Sequence, residues 1–176
     1  MGCIFCDILD GKRDGHFLYE DESHVAFLDK YPIDVGHSLV IPRKHHERIT
    51  DMDSKDVGNI FSIVPKIAKA ILDATGADAF SLGQNNGKAA KQIIPHVHIH
   101  IIPRYNSKGT VWTKRQISSD DELLELAKKI RSYLAWPGLY LKIAPTFPKL
   151  ESIFPCSALP EITSNCAPTF DERICK

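Results

Sequence analysis

The sequence predicts a single domain that mixes helices with short antiparallel strands, and three features carry that prediction. Between Phe17 and Arg43, runs of aromatic and β-branched residues alternate with turn formers at intervals too short for crossover helices. Two longer stretches, near 54–75 and 119–134, place apolar residues at three- and four-residue steps. The segment "PHVHIHIIPR", from Pro95 to Arg104, alternates imidazole with aliphatic side chains, which is the period of a strand. A chain of 176 residues suffices for one domain with a well-buried core.

Taken in order, "FLYEDE", "HVAFLD" and "SLVIPR" are three strands, the last reached through the turn-forming "YPIDVGH". From Ser54 to Thr75, Val57, Ile60, Phe61, Val64, Ile67 and Ile71 form one face of an amphipathic helix, with Gly76 as its stop signal. Pro65 lies inside this helix, where it removes a donor and crowds the preceding turn; it is expected to kink the helix or to begin a second piece. A strand "AFSLGQN", a Gly-containing loop "NGKAAKQ" and the histidine strand follow. A second helix runs from about Ser119 to Leu134. Ser119 and Glu122 have capping-box spacing there, and Leu123, Leu126, Ile130 and Tyr133 mark the buried face. The compact domain is expected to cover residues 1–135. Residues 136–176 carry six prolines and no persistent period, and read as an irregular or disordered tail with room for a protein partner.

Basic and acidic side chains number 22 each, and no run of five like charges offers a patch for nucleic acid or a membrane surface. A polyanionic partner must therefore be small and bound locally. No apolar run reaches the length of a membrane span, and no basic leader precedes a long apolar segment, so a soluble protein of the cytosol or nucleus is expected. Five cysteines, an odd number, do not read as a disulfide framework and fit a reducing compartment.

His96, His98 and His100 share one face of the histidine strand, while Val97, Ile99 and Ile101 supply the core contact from the other. An exposed strand face would need no function, but such faces favour Thr, Lys or Glu over three imidazoles. His-X-His on a strand is a good zinc bite, yet the outer two Cβ atoms lie about 13 Å apart at the strand rise. All three cannot easily converge on one ion. Division of labour is the alternative: a neutral imidazole attacks a phosphorus centre while an acceptor holds its other nitrogen, and a neighbouring imidazole hydrogen-bonds phosphate oxygen.

"HVHIHII" resembles the signature of the histidine triad (HIT) superfamily, and "CIFC", "AFLD", "GHSLVIPRKH", "VPKIAKAI", "QNNGKAAKQ" and "IIPR" fall in the order and spacing of its Hint-like branch. The resemblance covers about Cys3 to Leu134. It implies an α+β, HIT-like fold, with an antiparallel sheet of about five strands and two main helices, usually paired as a homodimer through the long helix and sheet edges. It implies that His98 is the nucleophile, forming a nucleotidyl-histidine that water then hydrolyses to the nucleoside monophosphate, and that His100 contacts the phosphate. The backbone of "AKQ", with Lys91 and Gln92, matches the phosphate-binding loop; Asp29 matches the acid on the ribose hydroxyls, and Asn85 a polar residue facing the phosphate or leaving group. His37 matches a histidine that orients the site from behind. His16, His24 and His46 read as solvated. Lys91 stands where many relatives carry Gly, Ile93 where some carry a hydroxyl that helps protonate the leaving group, and Lys30 where an apolar residue is common.

Cys3 and Cys6 form a two-thiolate hook with structural-zinc spacing that needs two further ligands. The resemblance supplies them as His45 and His96, which would commit His96 to a structural metal; no catalytic metal or organic cofactor is expected. The implied activity is hydrolysis of a purine nucleoside 5′-monophosphoramidate at its P–N bond, with a purine nucleotide as substrate. The alternatives are a dinucleoside polyphosphate hydrolase, with Lys88 or Lys91 serving a longer anionic leaving group, and a nucleotide-binding interaction protein with incidental catalysis. A metal-storage or metal-sensing protein, needing more than one zinc per chain, is a further class.

Overall fold

A computed structural model describes residues 2–109, 112 and 118–134. The tail expected at 136–176, and any partner it engages, lie outside the described residues. The elements in chain order are helix α1 (Ile4–Leu9), strands β1 (Phe17–Glu20), β2 (His24–Leu28) and β3 (Ser38–Pro42), helix α2 (Ser54–Thr75), strands β4 (Ala79–Gly83) and β5 (Ile99–Arg104), and helix α3 (Asp120–Leu134). The strands form one five-stranded sheet in the order β1-β2-β3-β5-β4, with every neighbouring pair antiparallel. This is the α+β arrangement that the sequence led us to expect.

The sheet is covered on both faces. Ala26, Leu28, Val40, Ile99 and Ile101 point to one face and pack against Ile60, Ile67 and Ile71 of α2 and Leu123, Ala127 and Ile130 of α3. Each of the three fully buried α2 isoleucines contributes about 1.5–3 kcal/mol of apolar burial. Val25, Phe27, Leu39 and Ile41 point to the other face, where Phe5 and Ile8 of α1 meet them. Both helices of the first layer are locally encoded. At the start of α3, Ser119 N–H donates to Glu122 Oε2 at 3.0 Å and Glu122 N–H to Ser119 Oγ at 3.2 Å, a reciprocal cap. Gly76 ends α2 at φ 71°, a left-handed stop that glycine adopts freely. No described helix is long and apolar enough to cross a membrane.

Several expectations change in three dimensions. Helix α2 runs unbroken through Pro65, whose ring is exposed. Phe61 and Tyr133 lie outside the buried faces, at 38% and 52% exposed; Ala127 joins Leu123 and Ile130 in the core, and Leu134 rather than Tyr133 packs against it at the end of α3. The histidine strand begins only at Ile99, so His96 and His98 precede the paired region. His24 is not solvated: it is buried, with Nδ1 3.3 Å from the Asp21 carboxylate. Helix α1 is not among the expected elements: at six residues it is too short for the repeat of Ile4, Phe5 and Ile8 to stand out as a helical period.

Candidate active site

The alternation along this segment places Ile99 and Ile101 against the α2–α3 layer, with Val97 also buried, and turns the three imidazoles toward α1. In register, His100 sits between Leu39 of β3 and Gly83 of β4. His96 and His98 are buried rather than displayed on a surface, at 0% and 6% exposed. Between this face, α1 and the start of α3 lies a cleft of about 790 Å³. Its walls include Ile4, Phe5 and Ile8 from α1, Phe27 and Asp29 from the end of β2, Asn85, Lys91 and Ile93 from the β4–β5 connection, and Asp120 and Leu124 from α3. His98 and His100 line it. A volume of this size lies in the range of small-molecule sites.

The hydrogen bonds fix which nitrogen of each ring is available. His98 Nδ1 lies 2.7 Å from the backbone carbonyl oxygen of His96, which can only accept, so Nδ1 carries the proton and Nε2 keeps its lone pair. Burial lowers the His98 pKa below the usual imidazole value, which keeps the ring neutral. The ring is also held by the edge of Phe5, at 5.3 Å between centroids, and by His100, at 4.8 Å. His37 Nδ1 accepts the Ile33 amide proton at 3.1 Å; its own proton is therefore on Nε2, which donates to His100 Nδ1 at 2.9 Å. That leaves the far nitrogen of His100, Nε2, as a hydrogen-bond donor. Asp29 Oδ2 approaches His37 Nδ1 at 3.6 Å, and Asp29 Oδ1 accepts the Tyr31 amide at 2.9 Å. The expected position of His37 behind His100 thus has a physical role, the choice of tautomer.

The β4–β5 connection departs from expectation. Gln92 does not face the cleft: it is buried, its Oε1 accepts the Gly87 amide at 2.6 Å and its Nε2 donates to the Glu47 carbonyl at 2.7 Å. The amides of Ala90, Lys91 and Gln92 are likewise donated within the loop, to Gly87, Lys88 and Gly87 carbonyls. The cradle of amides expected from "AKQ" is therefore spent on the loop's own fold, and Gln92 is its brace. Lys91 and Ile93 are the residues of this part that reach the cleft.

The four expected metal ligands come together at the first turn of α1. Cys3 Sγ and Cys6 Sγ lie 3.4 and 3.7 Å from His96 Nδ1, and Cys6 Sγ lies 3.4 Å from His45 Nδ1. Bond lengths of about 2.3 Å to sulfur and 2.05 Å to nitrogen put tetrahedral N···S edges at about 3.6 Å, which these three distances match, and all four ligand atoms lie within 4.8 Å of one another. His96 Nε2 donates to the Pro42 carbonyl at 2.9 Å, which leaves the Nδ1 lone pair toward the thiols. Burial, reinforced by His45 and His98, pushes the His96 pKa down to about 4, so it stays an uncharged donor. Burial and the neighbouring Cys3 push the Cys6 thiol up to about 11, a penalty that a cation would reverse. The donor set fits a structural metal.

A profile of the HIT domain matches residues 10–107. The chain belongs to the HIT family. Among relatives of this HIT chain, the adenosine 5′-monophosphoramidase hnt1 of Schizosaccharomyces pombe is 37% identical over 135 residues, covering 75% of the chain and 98% of that protein. The adenylylsulfatase HINT3 of Arabidopsis thaliana is 39% identical over 137 residues, covering 75% of the chain and 69% of that protein. Among solved structures, a zinc-bound histidine triad family protein of Mycobacterium smegmatis is similar with a TM-score of 0.68 and 32% identity, over 76% of this chain and 94% of that one.

Of the residues expected from the sequence, the HIT fold gathers Asp29, Asn85, Lys91, His98 and His100 around one cleft, sets His37 behind it, and groups Cys3, Cys6, His45 and His96 apart. Sequence reasoning missed the α1 wall, Phe5 above all, and it missed His16. That ring is half-buried; it lines the cleft and approaches Asp120 Oδ1 at 3.5 Å. The spacing of Ile4, Phe5 and Ile8 was the available signal for the wall.

Proposed function

We propose that this HIT protein is a hydrolase of purine nucleoside 5′-monophosphoramidates that works through a nucleotidyl-histidine on His98. The observation that carries the reading is the 2.7 Å bond of His98 Nδ1 to the His96 carbonyl, which frees Nε2 on a neutral ring in the cleft. Nε2 attacks the α-phosphorus, the P–N bond breaks, and the electron pair leaves on the amine nitrogen, which takes a proton from solvent water as it departs. Water then cleaves the P–Nε2 bond and releases the nucleoside monophosphate. His100, its tautomer set by His37, donates from Nε2 to a phosphoryl oxygen as charge builds there. Asp29 holds the ribose hydroxyls, Asn85 faces the phosphate, and Phe5 and Phe27 form apolar walls for the base. The 37% identity to a monophosphoramidase supports the P–N specificity.

Cys3, Cys6, His45 and His96 hold a structural zinc, supported by their dimensions and by the zinc-bound relative. Such a zinc supplies no chemistry to the reaction; it ties α1 to the segment that carries His98. Reduced thiol ligands suit the cytosol or nucleus. Strand β4 is an edge of the sheet with Phe80 and Leu82 at 39% and 42% exposed, and we assign this edge to a homodimer. Sedimentation of the full chain as a monomer would remove that assignment. The catalytic reading is tested by steady-state hydrolysis of adenosine 5′-monophosphoramidate by the protein and its His98→Asn variant. Turnover falls by about a thousandfold or more when a covalent nucleophile is lost. Turnover kept within tenfold of the parent refutes His98 as nucleophile.

A further inference from the structure

We infer that Cys3 and Cys6 are an oxidative modification site: a hydroperoxide joins the two sulfurs in a disulfide, the metal they share is expelled, and turnover at His98 falls because Phe5 moves with them. This rests on the structural-zinc and His98 readings and adds a reaction of the ligand thiols themselves.

Among the described residues the cysteines are Cys3 and Cys6, both free. His96 is 0% exposed, whereas both cysteines are half-buried and His45 is exposed, so the sulfur side of the cluster opens to solvent. Cys3 stands at the cap of α1 and Cys6 in its first turn, and this spacing turns both sulfurs to one side, 3.4 and 3.7 Å from His96 Nδ1. A Cys-X-X-Cys pair on such a turn can pass between dithiol and disulfide without unfolding the helix. Phe5 lies between the two cysteines in the chain and is 3% exposed. Its ring meets His96, His98 and Phe27 at centroid distances of 5.8, 5.3 and 5.5 Å. The cluster reaches the nucleophile a second way, because the carbonyl of its ligand His96 holds the His98 Nδ1 proton at 2.7 Å.

Thiols that ligate a cation do so as thiolates, the form that attacks a peroxide. One sulfur attacks a peroxide oxygen, the O–O bond breaks, hydroxide leaves and a sulfenic acid remains. The second thiolate attacks that sulfur, the S–S bond forms, the S–O bond breaks and a second hydroxide leaves. Two electrons have passed from the sulfurs to the peroxide. The disulfide has no charge with which to hold a cation, and two imidazoles alone do not close a tetrahedral site. Zinc bonds of about 2.3 Å hold two sulfurs about 3.8 Å apart and a disulfide needs about 2.05 Å, so the sulfurs close by about 1.7 Å. That shift falls on both chain neighbours of Phe5 while the tie to His96 is lost. A displacement of about 1 Å from the reactive geometry costs up to about a hundredfold in rate.

The test treats full-length, zinc-loaded protein with hydrogen peroxide and follows zinc release with a chelating dye, the mass of the tryptic peptide Met1–Lys12, and turnover of adenosine 5′-monophosphoramidate. That peptide carries Cys3 and Cys6 and no other cysteine, so a disulfide within it is distinct from any formed by Cys156, Cys166 or Cys175. Zinc is expected to leave as the peptide becomes two hydrogens lighter, turnover to fall about tenfold or more, and dithiothreitol with added zinc to restore all three. Cys3→His and Cys6→His each keep four metal-ligating side chains but cannot form the disulfide, and each is expected to hold its own untreated turnover within about twofold at the same peroxide dose. Peptide mapping of the parent decides the site even where a variant fails to fold. Zinc release without the disulfide, a disulfide with turnover within about twofold of the untreated protein, or a loss that dithiothreitol and zinc do not reverse overturns the inference and leaves both underlying readings intact. Protein that takes up no zinc, or shows no turnover, before peroxide is added overturns the corresponding reading and this inference with it.

Discussion

Replacing His37 by Phe keeps a planar ring in a site that is 2% exposed while deleting both ring nitrogens. The Ile33 amide loses its acceptor at 3.1 Å and His100 Nδ1 loses its donor at 2.9 Å. A net hydrogen bond contributes about 1 kcal/mol, and a fully buried orphan costs about 1–3 kcal/mol. Ile33 and His100 are both half-buried and can recruit water, so the lower end applies and the sum is about 2 kcal/mol. For a chain of this size that is a fall in melting temperature of about 4–8 °C. Activity should suffer differently. With no donor at Nδ1, His100 is free to carry its proton there and to present a bare Nε2 to the phosphoryl oxygen, which removes one charge-assisted hydrogen bond from the transition state. That interaction corresponds to about a 10–100-fold loss in kcat, with KM little changed, because the ribose and base contacts stay in place. Thermal melting and steady-state kinetics on adenosine 5′-monophosphoramidate measure the two effects separately. A kcat within twofold of the parent, alongside the expected loss of stability, would show that His37 is only a packing residue and that the tautomer argument is wrong.

The pH dependence follows from the His98 environment: only the neutral ring attacks, and burial holds its pKa below 6.5. The acid limb of kcat/KM is therefore expected below pH 6.5, and a limb above that value contradicts the buried, neutral nucleophile. Protein prepared with zinc should hold one equivalent per chain by atomic absorption, and Cys3→Ser should lose it with a stability deficit of about 3 kcal/mol. Parent protein that binds no zinc under those conditions rules out the metal assignment. At Gly36, φ is 87°, and an added Cβ would lie 2.8 Å from Thr75 Cγ2, 3.2 Å from Pro103 Cγ and 3.3 Å from Ile71 Cγ2. Gly36→Ala is accordingly expected to cost about 2–4 kcal/mol in urea unfolding, and a cost below about 1 kcal/mol contradicts the close approach seen there.

The sequence by itself determined the elements whose signals are local and periodic. The face of α2, the cap of α3 and the alternation of imidazole with Val97, Ile99 and Ile101 are each written within a few turns of chain, so they could be read without knowing the partners. The motif spacing likewise singled out side chains that folding brings around one cleft and into one thiol–imidazole cluster, because three alternating histidines and a two-cysteine hook keep their order in any fold that uses them. Tertiary structure decided what each side chain is free to do. Gln92 belongs to the phosphate-binding motif, yet the carbonyl of Glu47, 45 residues away, and the Gly87 amide use up its amide group. His16 and His24 look like solvated histidines until Asp120 of α3 comes within 3.5 Å of the first and Asp21 within 3.3 Å of the second. Tautomers were equally out of reach: the proton on His98 is placed by a neighbouring carbonyl, and that on His37 by the Ile33 amide. A hydrogen-bonding group has a fixed inventory of donors and acceptors, but which of them remains for chemistry depends on the partners that folding brings within about 3 Å.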